Sequence, residues 1–239
     1  MNIINRHLWA GAAAIVLAVS LAAMAQLDKK PYTEWTEKEA EKLLDKSPWA
    51  QTQVSTSTAG TFSTGPGTTA TSGGPPAGGI DQISYHIRFL SAKPVRQAIS
   101  RIMELRQKGA MNDQLAAQLK AFANQEFPDY VVVTVTVEGS ESKGRLQSAT
   151  AMLNSRTTAT LKNNTYLIVK DQRIFLEEYQ PPRPDGLGAR FIFPRIVDGK
   201  PIITPENDEV RFISELTRAF KLNMRYKVSD MMFGGKLEY

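Results

Sequence analysis

Apolar and polar side chains first alternate strictly around residue 85, and this alternation predicts a strand. Tyr85, Ile87 and Phe89 occupy one face of the strand, whereas His86 and Arg88 lie on the polar face. The polar face also includes Ser84, so the strand is expected to be half-buried.

The apolar spacing then changes to that of two helices. Pro94 lies in the first turn of the first helix, where proline is favoured, and Gly109 ends it. The apolar face of this helix consists of Val95, Ala98, Ile99 and Ile102. The second helix starts near Asn112 and stops before Pro128, with Leu115, Leu119, Phe122 and Ala123 on one face. A short turn joins the two helices, so they are predicted to form a helical hairpin.

The second half of the chain predicts mostly strands joined by hairpins. These strands are Val131–Val137, Thr157–Lys162, Thr165–Lys170, Ile174–Tyr179, Arg190–Phe193, Ile202–Thr204, Phe220–Val228 and Lys236–Tyr239. Asn163-Asn164 and Asp198-Gly199 are turn sequences that tolerate positive φ. Residues 142–155 are predicted to form one further helix. The order indicates an α+β fold, with the helical hairpin packed on a mainly antiparallel β-sheet.

A short charged helix is predicted before this domain. Thr36 and Glu39 have the spacing of a capping box, and Pro48 stops the helix. Its apolar stripe and two flanking tryptophans leave two interpretations open. The helix either packs on its own domain or docks into a partner groove. In the docking interpretation the partner-binding residues are Trp35, Leu43, Leu44 and Trp49.

Residues 55–79 read as a flexible linker, because Thr, Gly, Ser and Pro supply 21 of these 25 positions. Such a composition buries too little apolar surface to offset the entropy of ordering it. The predicted organisation is therefore a helical arm at 26–54, the linker at 55–79 and an α+β domain at 80–239.

The first 25 residues have the pattern of a signal peptide. Arg6 precedes an apolar run from Leu8 to Ala22, and Ala23-Met24-Ala25 is a small-x-small cleavage site. An uncleaved membrane anchor is the alternative. The chain has no second apolar stretch of that length, so no transmembrane segment is expected after cleavage. The predicted location is periplasmic or extracellular.

Composition removes several classes of chemistry. The 239 residues include no cysteine, which excludes disulfides, thiolate metal sites and cysteine catalysis. The net charge is +5, but export makes nucleic acid an improbable partner. No cofactor or metal site is predicted.

Several motifs match a group of uncharacterised exported bacterial proteins. The first is Trp35-Thr36 with Glu39-Ala40, Leu43-Leu44 and Ser47-Pro48-Trp49-Ala50. Others are Phe89 to Ala98, Phe191 to Arg195, and Gly199-Lys200-Pro201 with Thr204 to Asn207. The chain resembles this family over most of its predicted mature length. The resemblance implies export and a shared fold, and it supplies no activity, ligand or catalytic residue.

Motifs that would indicate catalysis are incomplete. The predicted mature chain has a single histidine, His86, which is interpreted as a surface or structural residue. Ser140 and Lys143 have Ser-x-x-Lys spacing without its companion elements, and Gly139 to Leu146 lacks the Lys and Ser/Thr of a P-loop. Carboxylates occur at Glu177/Glu178 and at Glu206, Asp208 and Glu209, and solvated loops are their favoured interpretation.

Basic residues suggest a surface for anions. Lys221, Arg225 and Lys227 lie on one face of a predicted strand and are the candidate polyanion-binding residues. Arg96, Arg101 and Lys108, on the first helix of the hairpin, would extend this surface if the two faces were adjacent.

Taken together, these features favour an exported, non-enzymatic, envelope-associated binding or interaction protein that recruits a protein partner through residues 31–50. One alternative is a carboxylate-based hydrolase acting on envelope polymers. Another is a binder of an anionic glycan or lipid headgroup.

Overall fold

The computed structural model describes residues 27–57, 81–107, 109–139 and 143–239. The predicted signal peptide, most of the predicted linker and Ser140 of the Ser-x-x-Lys pattern lie outside these residues. None of the helices in the described part of the chain has both the length and the apolarity needed to cross a bilayer.

Two antiparallel sheets form the centre of the fold, as the α+β prediction requires. The larger sheet has the order β1-β2-β3-β7-β6, and the smaller has the order β11-β10-β4-β5. The strands of the larger sheet are β1 (Ala50–Ser57), β2 (Asp81–Phe89), β3 (Tyr130–Gly139), β6 (Glu178–Gln180) and β7 (Ala189–Pro194). The strands of the smaller sheet are β4 (Thr165–Val169), β5 (Gln172–Phe175), β10 (Glu209–Thr217) and β11 (Phe220–Lys227). Two small hairpins are β8 (Ile196–Val197) with β9 (Lys200–Pro201), and β12 (Met232–Phe233) with β13 (Lys236–Leu237).

The apolar faces of the two sheets meet in one core. Phe89 contacts Tyr226 edge-on at 4.9 Å between ring centroids, and Phe191 contacts Phe212 at 5.3 Å. The hydroxyl of Tyr226 donates to the carbonyl of Ile87 at 3.1 Å, which satisfies the polar atom of a fully buried ring. Strands β7 and β11 turn one alternating face inward and the other outward, whereas much of β3 and most of β4 are buried on both faces.

Helices flank the larger sheet. They are α1 (Glu37–Asp45), α2 (Lys93–Arg106), α3 (Asp113–Asn124), α4 (Lys143–Asn154) and α5 (Thr158–Leu161). The predicted hairpin is present as α2 and α3, and the predicted helix at 142–155 is α4. The predicted capping box of α1 is also present, since Thr36 Oγ1 accepts from the Glu39 amide at 3.3 Å.

The first described segment belongs to the main fold. Strand β1 pairs with β2 along its whole length, from Ala50 opposite Arg88 to Ser57 opposite Asp81. Residues 55–57, predicted as linker, are therefore strand. The predicted boundary between a separate arm and the domain is corrected, because the sheet crosses it.

The same strand joins the edges of the two sheets. The Gln51 and Gln53 side chains donate to the main-chain carbonyls of Arg225 and Lys221, and Gln53 accepts from the Asn223 amide at 3.1 Å. An open strand edge is a template for unwanted pairing. These glutamines occupy hydrogen-bonding groups of β11 that would otherwise remain open.

Three sequence predictions for strands are wrong. Residues 158–161 form α5 because Thr157 and Thr160 cap that turn reciprocally, so no hairpin turns at Asn163-Asn164. The predicted strand Ile174–Tyr179 is divided between β5 and β6, which lie in different sheets. The predicted strand Ile202–Thr204 is not a strand. The turn at Asp198-Gly199 is present with positive φ at both residues, but it joins the short strands β8 and β9.

Candidate functional site

The proposed partner anchors lie inside the protein. Trp35 and Leu43 are 0% exposed and Trp49 is 1% exposed, while Leu44 is partly buried against the same core. Both indole rings contact Phe233 edge-on, and Trp49 Nε1 donates to the carbonyl of Glu238 at 2.8 Å. These side chains fill the chain's own core, so their interpretation as exposed anchors is corrected.

The basic residues of β11 are exposed but paired. Lys221 lies 3.3 Å from Glu215, Arg225 lies 3.1 Å from Glu209, and Lys227 lies 3.3 Å from Asp230. The suggested extension onto α2 is absent in the described residues. Arg96 is buried, Arg101 donates to the carbonyl of Trp35, and Lys108 lies outside the described residues.

The predicted acidic loops do not form a metal site. In the 206–209 cluster, Glu209 forms an ion pair with Arg225. The Asn207 side chain stabilises the loop by accepting a hydrogen bond from the Thr204 amide at 2.6 Å. Within the described ranges, no group of three or more His, Asp or Glu side chains could hold a metal ion.

A cleft of about 370 Å³ separates helices α1 and α2 from the outer face of the larger sheet. Its apolar lining is Leu44, Ile99, Ile102, Met103 and Leu187. Its charged lining is Glu41, Asp45, Arg88, Arg106, Glu138 and Asp185. The cleft exists because β2 and β3 carry polar side chains on this face, and apolar helix surfaces do not close over groups that need hydrogen bonds.

Beside the cleft, His86 lies between two carboxylates. Its Nδ1 is 3.0 Å from Thr52 Oγ1 and 3.4 Å from Asp45 Oδ1, while Nε2 is 3.4 Å from Glu138 Oε2. The residue is 8% exposed, and Nε2 is buried without a hydrogen bond. His86 belongs to the predicted polar strand face, but β1 and α1 cover that face and make the histidine structural.

Arg88 connects the sheet to the helix layer. Its guanidinium donates to the Leu44 carbonyl at 2.7 Å and to Thr136 Oγ1 at 2.8 Å, and it lies 3.5 Å from Asp45. Burial lowers the pKa of Arg88, and the carboxylates of Asp45 and Glu138 oppose that shift.

The loop before β7 forms the remaining wall. Gly188 has φ +77°, and a Cβ there would lie 2.3 Å from the Val135 carbonyl oxygen, so only glycine fits. Burial disfavours the charge of Asp185, but the Leu187 amide and the Arg190 guanidinium outweigh it and hold the pKa of Asp185 below its ordinary value. The other Arg190 nitrogen, Nη1, is buried without a partner.

Sequence reasoning missed most of this cleft. The alternation on β2 placed Arg88 and His86 on one face, and Thr134 and Glu138 share the corresponding face of β3. That shared polar face is the feature of the sequence that could have indicated the cleft. Nothing in the local pattern indicated that α1 would cover it, because the contact joins segments about 40 residues apart in sequence.

The chain has no significant match to a protein family, a curated protein or a solved structure. The resemblance to exported bacterial proteins and the export signal therefore stay predictions from the sequence.

Proposed function

We propose that the protein is an exported, non-enzymatic binding protein of the cell envelope, and that the helix–sheet cleft takes a small amphiphilic ligand. The observation that carries this proposal is a single concave site that combines apolar helix side chains with four carboxylates, of which two lie on α1, one on β3 and one in the loop before β7. Ligand sites commonly combine an apolar lining with a few convergent polar groups.

The charges of the cleft favour a cationic or hydroxyl-bearing head group. Four carboxylates and two guanidinium groups line it. Glu41 is paired with Arg106 at 2.7 Å, Asp185 with Arg190, and Asp45 is shared by Arg88 and His86. Glu138 lies 3.4 Å from His86, and its side chain, at 70% exposed, is the most exposed of the four acids that line the cleft. It is the carboxylate best placed to accept a hydrogen bond from a ligand.

The dimensions favour a small molecule. A volume of about 370 Å³ is near the lower end of the range for ligand pockets, which is about 300–1,000 Å³. The proposed compartment supplies amphiphiles in its membranes and their precursors, so the location and the site are compatible.

The test is titration of the protein with octyltrimethylammonium and octyl sulfate, followed by amide NMR shifts. We expect the cation to shift cleft residues at concentrations where the anion does not. Met103→Trp should fill the cleft and abolish binding, whereas Met232→Trp, the same change at an exposed site, should leave it intact. Glu138→Gln should weaken the preference for the cation. Equal binding to wild type and Met103→Trp would contradict the proposal.

A carboxylate-based hydrolase is the second candidate, and the convergence of acids on one cleft favours it. Retaining and inverting glycosidases need two carboxyl groups about 5–10 Å apart. The lowered pKa of Asp185 suits a base or nucleophile and not a general acid. Release of reducing ends from envelope glycans, lost in Asp185→Asn and Glu138→Gln, would support this candidate. Equal release by wild type and both variants would remove it.

A further inference from the structure

A second cavity, of about 510 Å³, lies at the N-terminal end of α2, away from the cleft. Its other walls are the loop after α3 and the β12–β13 hairpin. Four cationic side chains line it, together with two carboxylates and two aromatic rings. The cations are Lys93, Arg96, Arg195 and Lys236, the acids Glu126 and Glu238, and the rings Phe127 and Phe233. We name this set the basic pocket.

Arg96 is the buried centre of the basic pocket. It is 3% exposed, its two terminal nitrogens donate to the carbonyls of Leu90 and Gln125, and its guanidinium lies over the Phe127 ring at 5.0 Å. Its Nε is buried and has no hydrogen-bond partner. The hydrogen-bond partners of this cation are thus neutral, and its charge is compensated only at longer range.

Burial lowers the pKa of Arg96 to about 10, and Glu238 opposes this shift. The guanidinium therefore stays protonated at neutral pH. A buried charge without a paired counter-charge is costly unless something compensates it. An anion entering the pocket would provide that compensation.

The first turn of α2 contributes to the same site. Ala92 precedes the helix and has no side-chain oxygen to cap it. The Val95 and Arg96 amides bond the Ala92 carbonyl and Pro94 has no N–H, so the positive end of the helix dipole is left at the Lys93 amide. The Lys93 amide donates to the Glu238 carboxylate at 2.9 Å. The protein thus already places one carboxylate where helix N-termini commonly bind anions.

The cations of the basic pocket differ from those of β11. Each of the three β11 cations has an acid within 3.3 Å. None of the four pocket cations forms an ion pair with an acidic side chain among the described residues. Arg195 donates to the main-chain oxygens of Tyr130 and Tyr239 and stacks on the Tyr239 ring at 4.1 Å. The ammonium groups of Lys93 and Lys236 are consequently available to a ligand, and the two arginines add fixed positive charge.

We propose that the basic pocket is an oxyanion site for a phosphate- or carboxylate-bearing ligand. Arg96 and Arg195 provide its fixed positive charges, the Lys93 amide provides its main-chain donor, and Lys93 and Lys236 provide its ammonium groups. Glu238 acts as an internal competitor that the ligand's anionic group displaces from the Lys93 amide. The site is independent of the cleft and of the function proposed for it.

The experiment is calorimetric titration of the full chain with inorganic phosphate and, separately, with acetate at constant ionic strength. Lys236→Gln removes the charge of an exposed side chain at the pocket, and we expect it to weaken binding about two- to fivefold. Lys227→Gln is the matched control, since it deletes the same charge on β11, and it should leave the affinity unchanged. The tighter of the two anions identifies the head group.

Glu238→Gln gives the sharper result, because glutamine can still accept from the Lys93 amide but no longer competes as an anion. We expect phosphate or acetate to bind about fivefold more tightly to this variant, the size of a helix-terminus charge effect. Thermal unfolding of each variant checks that the fold is retained. The proposal is overturned if neither anion binds, if the two lysine variants weaken binding equally, or if Glu238→Gln leaves the affinity unchanged.

Discussion

The outer faces of the two sheets carry similar charges but meet different surroundings. On the larger sheet, Arg88 and His86 lie beneath α1, with side chains 12% and 10% exposed. On the smaller sheet, Lys221 and Arg225 face solvent, with side chains 43% and 64% exposed. Basic side chains on both faces form ion pairs with acids, so the presence of ion pairs does not distinguish the two faces.

The two faces differ in how much each ion pair contributes to the free energy of folding. An exposed ion pair contributes about 0–1 kcal/mol, because water and salt screen it. A covered charge has lost its water, so every donor must find a partner, and the result is a fixed arrangement such as that of Arg88. Covering the larger sheet thus produces both the cleft and the residues that shape it. The smaller sheet remains an ordinary solvated surface.

The largest effect is expected when the packing of the 27–57 segment on the core is disrupted. Trp49→Ala should lower the free energy of unfolding by about 3–5 kcal/mol, because it opens a cavity in the core beneath the 27–57 segment. Urea denaturation measures this change. Tyr130→Ala, at a ring that is 43% exposed, is the control and should cost much less. An unchanged stability for Trp49→Ala would mean that the segment does not pack on the domain in solution.

Two arginines test the comparison directly. Arg88→Ala should cost about 2–4 kcal/mol, because the Leu44 carbonyl and Thr136 lose a buried charged donor. Arg225→Ala removes the same side chain from the exposed face and should cost less than about 1 kcal/mol. Both values come from the same denaturation experiment. Similar costs at the two positions would show that the helices do not desolvate the larger sheet's outer face.

A matched pair of glycines tests the wall of the cleft. Gly188→Ala should cost about 2–3 kcal/mol, since its Cβ would collide with the Val135 carbonyl in addition to its strained φ. Gly186→Ala has the same backbone strain at φ +74° but open space around its Cβ, so about 1 kcal/mol is expected. Thermal unfolding compares the two. Equal losses of stability in the two variants would indicate that the loop before β7 moves away from β3 and accommodates the added Cβ.

Local patterns predicted the elements that local physics controls. The α2–α3 hairpin, the capping box of Thr36 and Glu39, and the strand ending at Lys227 all follow from spacing along one segment. Strand β10, between β11 and β4, is not among the predicted strands, because Ile213 and Ser214, both buried, interrupt the apolar–polar alternation of Val210 and Phe212. Residues 158–161 became a helix because a threonine capping box competes with β-propensity.

The sites required information that spacing cannot provide. Glu238 reaches the start of α2 from 145 residues further along the chain, and Trp49 contacts the same residue's carbonyl from 189 residues away. Such contacts depend on how the sheets stack. The sequence predicted a basic surface on β11, but it did not indicate that Glu215, Glu209 and Asp230 would pair with the three basic side chains there.

The smallest effect expected is a pH dependence at the rim of the cleft. Because the pKa of Asp185 is lower in the folded protein than its ordinary 3.8, the ionised carboxylate stabilises the fold above that value. This contribution is lost as the pH falls through the folded pKa.

In Asp185→Asn the side chain can still accept from the Leu187 amide, so only the charge is removed. The stability gap between wild type and this variant should be constant well above pH 3.8 and should close as the pH falls below 3.8 and through the lower folded pKa of Asp185. In 1 M salt, where the Debye length is about 3 Å, the gap should narrow because the Asp185 side chain is partly exposed. A gap that is independent of both pH and salt would mean that the carboxylate serves the loop only as a hydrogen-bond acceptor and that its pairing with Arg190 adds nothing.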